Sequence, residues 1–172
     1  MTIELTLDEF FEQSHEADEE ELRWDLSDDL DITYKFDSHI SQGWWRDIKL
    51  REGMWLTMDQ HQLTNRLVMT SPEQEINDIY YTFMLSGKGC SSRPTKAGVL
   101  QTTGKYYLTG TGIDPKTTGD YSDVEPISFV EVSIQPAILH SFTASTAGEL
   151  PENLQHLIKS PDEVNYIRYG DT

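Results

Sequence analysis

The stretch that most constrains this fold runs from Gly43 to Gln62: GWWRDIKLREGMWLTMDQHQ. Two arms rich in aromatic and aliphatic residues, neither containing proline, flank a glycine at position 53. That is the pattern of two strands joined by a tight turn. The register follows from the apolar spacing. A two-residue loop, Glu52-Gly53, would set Leu50 against Trp55 and Ile48 against Thr57, leaving Leu56 and Met58 on a face with Lys49 and Asp47. A three-residue loop, Arg51-Glu52-Gly53, with the glycine left-handed in a bulge, sets Leu50 against Met54, Ile48 against Leu56 and Arg46 against Met58. The predicted inner face is then Trp44, Arg46, Ile48, Leu50, Met54, Leu56 and Met58. The outer face is Trp45, Asp47, Lys49, Arg51, Trp55, Thr57 and Asp59. A one-residue slip would invert both faces, so the apolar pattern selects the second register.

Arg46 is a charge among apolar neighbours on that inner face. Two readings stand open. It is a strand-end arginine that snorkels to solvent or pairs with a structural carboxylate. Or it is an anion anchor inside a ligand cavity, because a buried guanidinium needs a partner.

At 172 residues the chain is one domain by size, long enough to bury a core. No run of 18 apolar residues occurs, and the N-terminus lacks the basic-then-apolar order of a signal peptide. The single cysteine, Cys90, excludes an internal disulfide and suits a reducing cytosol; beside Gly89 and two serines it is expected in a loop. The net charge of -17 is uneven. Residues 1–31 hold thirteen Asp and Glu against one Arg. So acidic a surface repels phosphate, and no basic stripe is present, which argues against nucleic-acid binding by this chain itself.

Three regions are expected: an acidic N-terminal arm with a helix over 1–31, a β-barrel over 32–143, and a C-terminal helical segment over 144–172. Thr6 and Glu9 make a capping box, with Leu5 and Phe10 as a hydrophobic staple. The acidic run Glu16 to Glu21 is read as a solvated helix face. After an alternating segment at 32–36 comes the hairpin, then Leu63 to Met69 as an extension or a third strand. Ile79 to Leu85 is a clear strand with Ile79, Tyr81, Phe83 and Leu85 on one face. Gly87 to Gly98 reads as a polar loop, Val99 to Leu108 as a hairpin turning near Thr103-Gly104, and 109–126 as a long loop. Ile127 to Ile134 is the last strand. Short strands with glycine-rich turns indicate an antiparallel sandwich or barrel. Near the end Pro151 suits a first helical position, and Leu154, Leu157 and Ile158 form a stripe. Ser160 to Glu163 is a second capping box.

Catalytic signatures are scarce. His15, His39, His61, His140 and His156 form no metal-binding spacing, and His61 is read as structural or solvent-facing. The stretch Gly98 to Lys105 superficially resembles a phosphate loop, but it is one residue too long and Tyr106 stands where Ser or Thr would hold magnesium. No Gly-x-Ser-x-Gly elbow occurs. What remains is aromatic density beside Arg46, which matches a small-molecule pocket. The candidate ligand-binding residues are Trp44, Arg46, Met58, Tyr81 and Phe83, with Arg46 pairing an anionic group such as a carboxylate on the ligand.

Several stretches together carry a family resemblance: Gly43-Trp44-Trp45-Arg46-Asp47-Ile48 with Leu50-Arg51-Glu52-Gly53, then Thr82-Phe83-Met84-Leu85-Ser86-Gly87, then Gly110-Thr111-Gly112, and Glu149 to Ile158. In order and spacing they resemble the N-terminal sensor domain of AraC-family transcription regulators, in the PchR-like branch common in cyanobacteria. The resemblance implies a mainly β, cupin-like double-stranded barrel (jelly roll) that senses a ligand, a ferric siderophore in the type member. It also implies a cytoplasmic homodimer, with Leu154, Leu157 and Ile158 placed to pair subunits. DNA would be reached only through a C-terminal helix-turn-helix domain; this chain ends before such a segment and is expected to be the sensor alone. No catalytic residue, resident cofactor or metal is expected. Two alternatives stay open: a metal-dependent cupin enzyme using His39, His61 and His140, and a barrel that only dimerises.

Overall fold

The computed structural model describes residues 1–14, 29–93, 96–143 and 149–172, with backbone only at 96 and 97. The acidic run Glu16 to Glu21 lies outside the described residues. Two sheets face each other. The first has five strands in the order β1 (Thr2–Thr6), β5 (Arg66–Ser71), β12 (Thr117–Tyr121), β8 (Lys88–Arg93) and β9 (Lys96–Thr102). The second has seven: β14 (Ile167–Asp171), β10 (Lys105–Thr109), β7 (Ile79–Ser86), β13 (Ile127–Ile134), β4 (Met54–Leu63), β3 (Ser41–Arg51) and β2 (Asp31–Asp37). A small pair, β6 (Gln74–Ile76) and β11 (Gly112–Asp114), closes one side. Apart from β1, which joins β5 in parallel, the pairings are antiparallel. The result is a mainly β, cupin-like barrel. The described helices are short: α1 (Leu7–Ser14), α2 (Pro136–Thr143) and α3 (Glu152–Gln155). No described helix is long and apolar enough to cross a membrane.

The hairpin register is the expected one over most of its length: Ile48 opposes Leu56 and Arg46 opposes Met58. Gly53 adopts the left-handed φ of 72° that the turn requires. At the tip, however, Arg51 pairs with Met54, and the register shifts between Lys49 and Arg51, so Leu50 is left out of the ladder.

The faces are reversed. Trp45, Asp59 and His61 turn into the barrel, while Trp44, Arg46, Ile48, Leu56 and Met58 share the face directed away from it. Strand alternation carries this across the sheet. Val130, Val132, Phe83, Tyr81, Tyr106 and Leu108 stand outward with Met58 and Leu56. The sealed core lies inside, where Ile40, Leu63, Leu67, Met84, Tyr107, Ile127 and Phe10 are buried.

Three other expectations change. Gly87 to Gly98 is mostly strand, because β8 and β9 pair across Cys90↔Leu100 and Ser91↔Val99. Cys90 is therefore a half-buried strand residue and not a loop thiol. Its small neighbours have a packing reason: a Cβ on Gly89 or Gly119 would come within 2.6 Å or 2.4 Å of the Tyr121 ring. The turn at Thr103-Gly104 joins strands of different sheets, so Val99 to Leu108 is no hairpin. The region 109–126 holds β11 and β12.

At the N-terminus the capping box forms as expected. The Glu9 carboxylate accepts from the Thr6 amide at 2.7 Å and hydroxyl at 2.9 Å, and the Thr6 hydroxyl accepts from the Glu9 amide at 3.2 Å. At the C-terminus, α3 is a single turn, and Ser160 with Glu163 caps a turn and not a helix. The chain then returns as β14 to extend the seven-stranded sheet along β10.

Candidate ligand cavity

Between the sheets lies a cavity of about 430 Å³, within the range of small-molecule sites. The seven-stranded sheet supplies most of one wall. One cross-strand row reads Asp47, Thr57, Glu131, Thr82, Tyr107 and Tyr169, on β3, β4, β13, β7, β10 and β14 in turn. The next row holds Trp45, Asp59 and Phe129. The five-stranded sheet faces them with Leu67, Met69, Ser91, Arg93, Val99, Gln101, Thr117 and Tyr121. Helix α1 adds Leu7, Phe10 and Phe11.

Polar groups inside are held in three settings. Asp59 is 2% exposed and meets His61 Nδ1 at 2.7 Å. Both hang from β4 two residues apart, so the strand puts them on one face. Aromatic rings surround the pair: Trp45 and Phe129 stand edge to face at 5.8 Å, and Phe36 and Phe10 lie 5.9 Å and 6.3 Å from the His61 ring. Burial pushes the Asp59 carboxyl above its ordinary pKa, against the opposing pull of His61.

Glu131 accepts a hydrogen bond from the Thr82 hydroxyl. Burial again raises its pKa, the Thr82 bond opposes this, and the neighbouring charge of Asp47 adds to the rise. Asp47 itself accepts from Thr57 Oγ1 at 2.6 Å.

On the other side Arg93 is paired with Asp114, and its second nitrogen donates to Asn165 Oδ1 at 3.1 Å. Burial raises the Asp114 pKa, against Arg93 and Asn165. Tyr121, packed between its two glycines, has its hydroxyl pushed up to about 12 by burial. Tyr107 donates to the Leu100 carbonyl at 2.6 Å. Among the described residues no three His, Cys, Asp or Glu converge as a metal site.

A family profile described as the regulatory protein PchR N-terminal domain matches residues 42–169, about three quarters of the sequence and nearly all of the barrel. The chain belongs to this family. It is thus a regulatory domain of the PchR type, and its barrel is a ligand-sensing one. No curated protein matches the sequence. Solved structures resembling this PchR-type domain include a bacterial pirin, YhhW from Escherichia coli, crystallised with nickel(II). The identity is 8% and the TM-score 0.44, over 87% of this chain and 54% of that one. Vicilin from hazelnut, Corylus avellana, aligns at 10% identity and a TM-score of 0.42, and this chain spans only 32% of its length. The Clostridium difficile EutQ protein aligns at 12% and 0.33, over 67% of this chain and 78% of that one.

The PchR-type barrel does not bring the five predicted ligand-binding residues to its cavity. Trp44, Arg46, Met58, Tyr81 and Phe83 all stand on the outward face. Arg46 forms a two-pronged pair with Asp31 on β2, Nε at 2.8 Å and the terminal nitrogen at 2.5 Å. That pair holds the Asp31 carboxyl below its ordinary pKa. Arg46 is therefore the structural, half-exposed arginine of the plainer reading. Tyr81 and Phe83 pack on one another at 4.4 Å, and Tyr81 also meets Tyr106.

The proposed dimerisation stripe is also divided. Leu157 is 3% exposed, and its carbonyl accepts from the Thr111 amide of the chain's own barrel. A Cβ on Gly110 would lie 2.3 Å from that carbonyl oxygen, so the docking is close. Leu157 is consequently not free to pair subunits; Leu154 and Ile158 remain half-buried. His61, expected to be structural or solvent-facing, is held by Asp59 and lines the cavity. Asp59 and Glu131 had a legible signal. Asp59 and His61 fall on one strand face, and Glu131 alternates with Val130 and Val132.

Proposed function

We propose that this domain binds a small-molecule effector inside the barrel and is the sensing part of a transcription regulator. The observation that carries the reading is the interior cavity of about 430 Å³, whose apolar walls hold a few placed polar groups. Membership of the PchR N-terminal family supports a regulatory role for that cavity. We further propose that the effector is a ferric siderophore or a related iron chelate. In support, no three potential ligands converge among the described residues, so an iron ion here would have to bring its own donors. Pairing of two copies, action on DNA through a separate helix-turn-helix domain, and a cytoplasmic location belong to the same proposal, on the resemblance alone.

The test is a thermal-shift screen of ferric siderophores. A chelate at about 100 times its dissociation constant stabilises the fold by roughly 2.7 kcal/mol, a melting shift on the order of 5–10 °C at this size. Thr109→Phe, which fills part of the cavity, should abolish the shift. Tyr81→Ala on the outward face should leave it intact. A shift lost in Tyr81→Ala and kept in Thr109→Phe would place the effector outside the barrel and refute the reading.

A further inference from the structure

The charges that face the cavity do not balance. Among the described residues three carboxylates line it, those of Asp59, Glu131 and Asp114. Among the described residues, the one permanent cation in the lining, Arg93, is already paired with Asp114. His61 is committed to Asp59 at 2.7 Å. Glu131 has only the neutral Thr82 hydroxyl as a partner, and no cation pairs with it among the described residues. Its row neighbour Asp47 carries the same charge. A carboxylate left in this state inside a protein is costly unless an opposite charge joins it. Aromatic rings form part of the walls, Trp45, Tyr121 and Phe129 among them, and ring faces attract cations.

We propose that Glu131 anchors a protonated amine of the effector, so that the cavity takes ammonium-bearing molecules and disfavours anionic ones. This rests on the reading of the cavity as the effector site and deepens it. Among iron chelates it selects those with a pendant primary amine. The ammonium meets the Glu131 carboxylate, while the apolar part of the ligand packs against Trp45, Phe129 and Tyr121, which all line the same space. Among the described residues, an anionic chelate finds no free cation in the lining to receive it. Burial raises the pKa of the Glu131 carboxyl, which is the cost of holding its charge there without a counter-charge.

The experiment uses matched probes in titration calorimetry. The first pair is the ferric complex of a linear trihydroxamate with a free primary amine, and its N-acetyl derivative. The second pair is free of iron: 2-phenylethylamine and N-acetyl-2-phenylethylamine. Each is titrated into wild type and Glu131→Gln, a substitution that keeps the side chain's size and its acceptor for Thr82. In wild type the amine of a pair should bind roughly 30-fold tighter than its acetylated partner, the scale of a lost buried charge contact. In Glu131→Gln that preference should disappear.

If the chelates bind wild type and Glu131→Gln alike, with or without the amine, the effector reading of the cavity stands and the anchor is overturned. If only the iron-free amine binds and depends on Glu131, the anchor stands and the iron-chelate reading falls. If no probe binds, the anchor is overturned. The comparison within wild type needs no variant, so a folding defect in Glu131→Gln would not rescue the proposal.

Discussion

The two faces of the seven-stranded sheet both carry apolar residues, and the buried carboxylates stand on the inward one. The outward face of β3, β4, β13 and β7 carries Trp44, Ile48, Leu56, Met58, Val130, Val132, Tyr81 and Phe83. The inward face of the same strands carries Asp47, Thr57, Glu131 and Thr82 in one row, and Trp45, Asp59 and Phe129 in the next. In a sheet packed on a solid core the apolar face turns in. Here the interior is in part a cavity, and the polar groups stand where a ligand would be. Outside, the apolar side chains shield one another; Tyr81, at 36% exposed, is among the open ones. The lesson is that alternation reveals two faces and their register, while the label inside or outside depends on whether the interior is filled.

The strongest way to break the comparison is to place a charge on each face. Met84, 8% exposed, points in, and Met58 points out. Met84→Lys should abolish the cooperative melt, because an unpaired ammonium in the core costs several kcal/mol. Met58→Lys should lower the melting temperature by only a few degrees, on the order of 1 kcal/mol. Equal losses in circular-dichroism melts would mean that the faces are misassigned.

A smaller effect sharpens the electrostatic half of the contrast. Burial raises the folded-state pKa of Glu131 above its unfolded value, so the fold prefers the protonated form. The groups facing it are Thr57 and Asp47 on one side and Thr82 on the other. Stability from this group is present below the ordinary carboxylate range and is lost as pH rises through the raised value. Glu131→Gln should therefore stabilise the empty protein at neutral pH, on the order of 1 kcal/mol, with the gain fading as the solution is acidified. Urea melts at neutral pH and at about pH 4 check it; a neutral-pH loss would show that the carboxylate has a compensating partner.

The smallest effect belongs to the outward face. The Arg46–Asp31 side chains are 41% and 31% exposed, so solvent screens the pair. Arg46→Ala should cost at most about 1 kcal/mol. It should leave effector binding unchanged, since Arg46 lines no part of the cavity. Loss of the ligand-induced melting shift in that variant would restore Arg46 to the site.

Much of the architecture was legible because it rests on local rules. The hairpin register, the left-handed Gly53, the strand at Ile79 and the capping box at Thr6 each follow from a few neighbouring residues. Strands β8, β11 and β12 were not legible, because their residues are small and polar: Gly89, Ser91 and Gly119 are chosen for the room they leave to Tyr121 and for the cavity. Helix α2 was missed although Pro136, Ile138, Leu139 and Phe142 carry its spacing. The residues predicted for the site stand on the face away from the cavity, for a physical reason. Counting apolar residues assumes that the interior excludes water and polar groups, and Asp59 with His61 breaks that assumption. No local rule announces a cavity; it arises where β13 brings Phe129 and Glu131 beside β4, far apart in sequence.

The central claim is that the effector meets the inward face, and adjacent tryptophans on β3 test it directly. Trp45 lines the cavity and Trp44 points away. The measurement is quenching of intrinsic tryptophan fluorescence on titrating the ferric trihydroxamate with a free amine into wild type, Trp44→Phe and Trp45→Phe. The account predicts saturable quenching in wild type and in Trp44→Phe, and a marked loss of its amplitude in Trp45→Phe. Quenching that survives in Trp45→Phe and vanishes in Trp44→Phe would place the ligand on the outward face and contradict it.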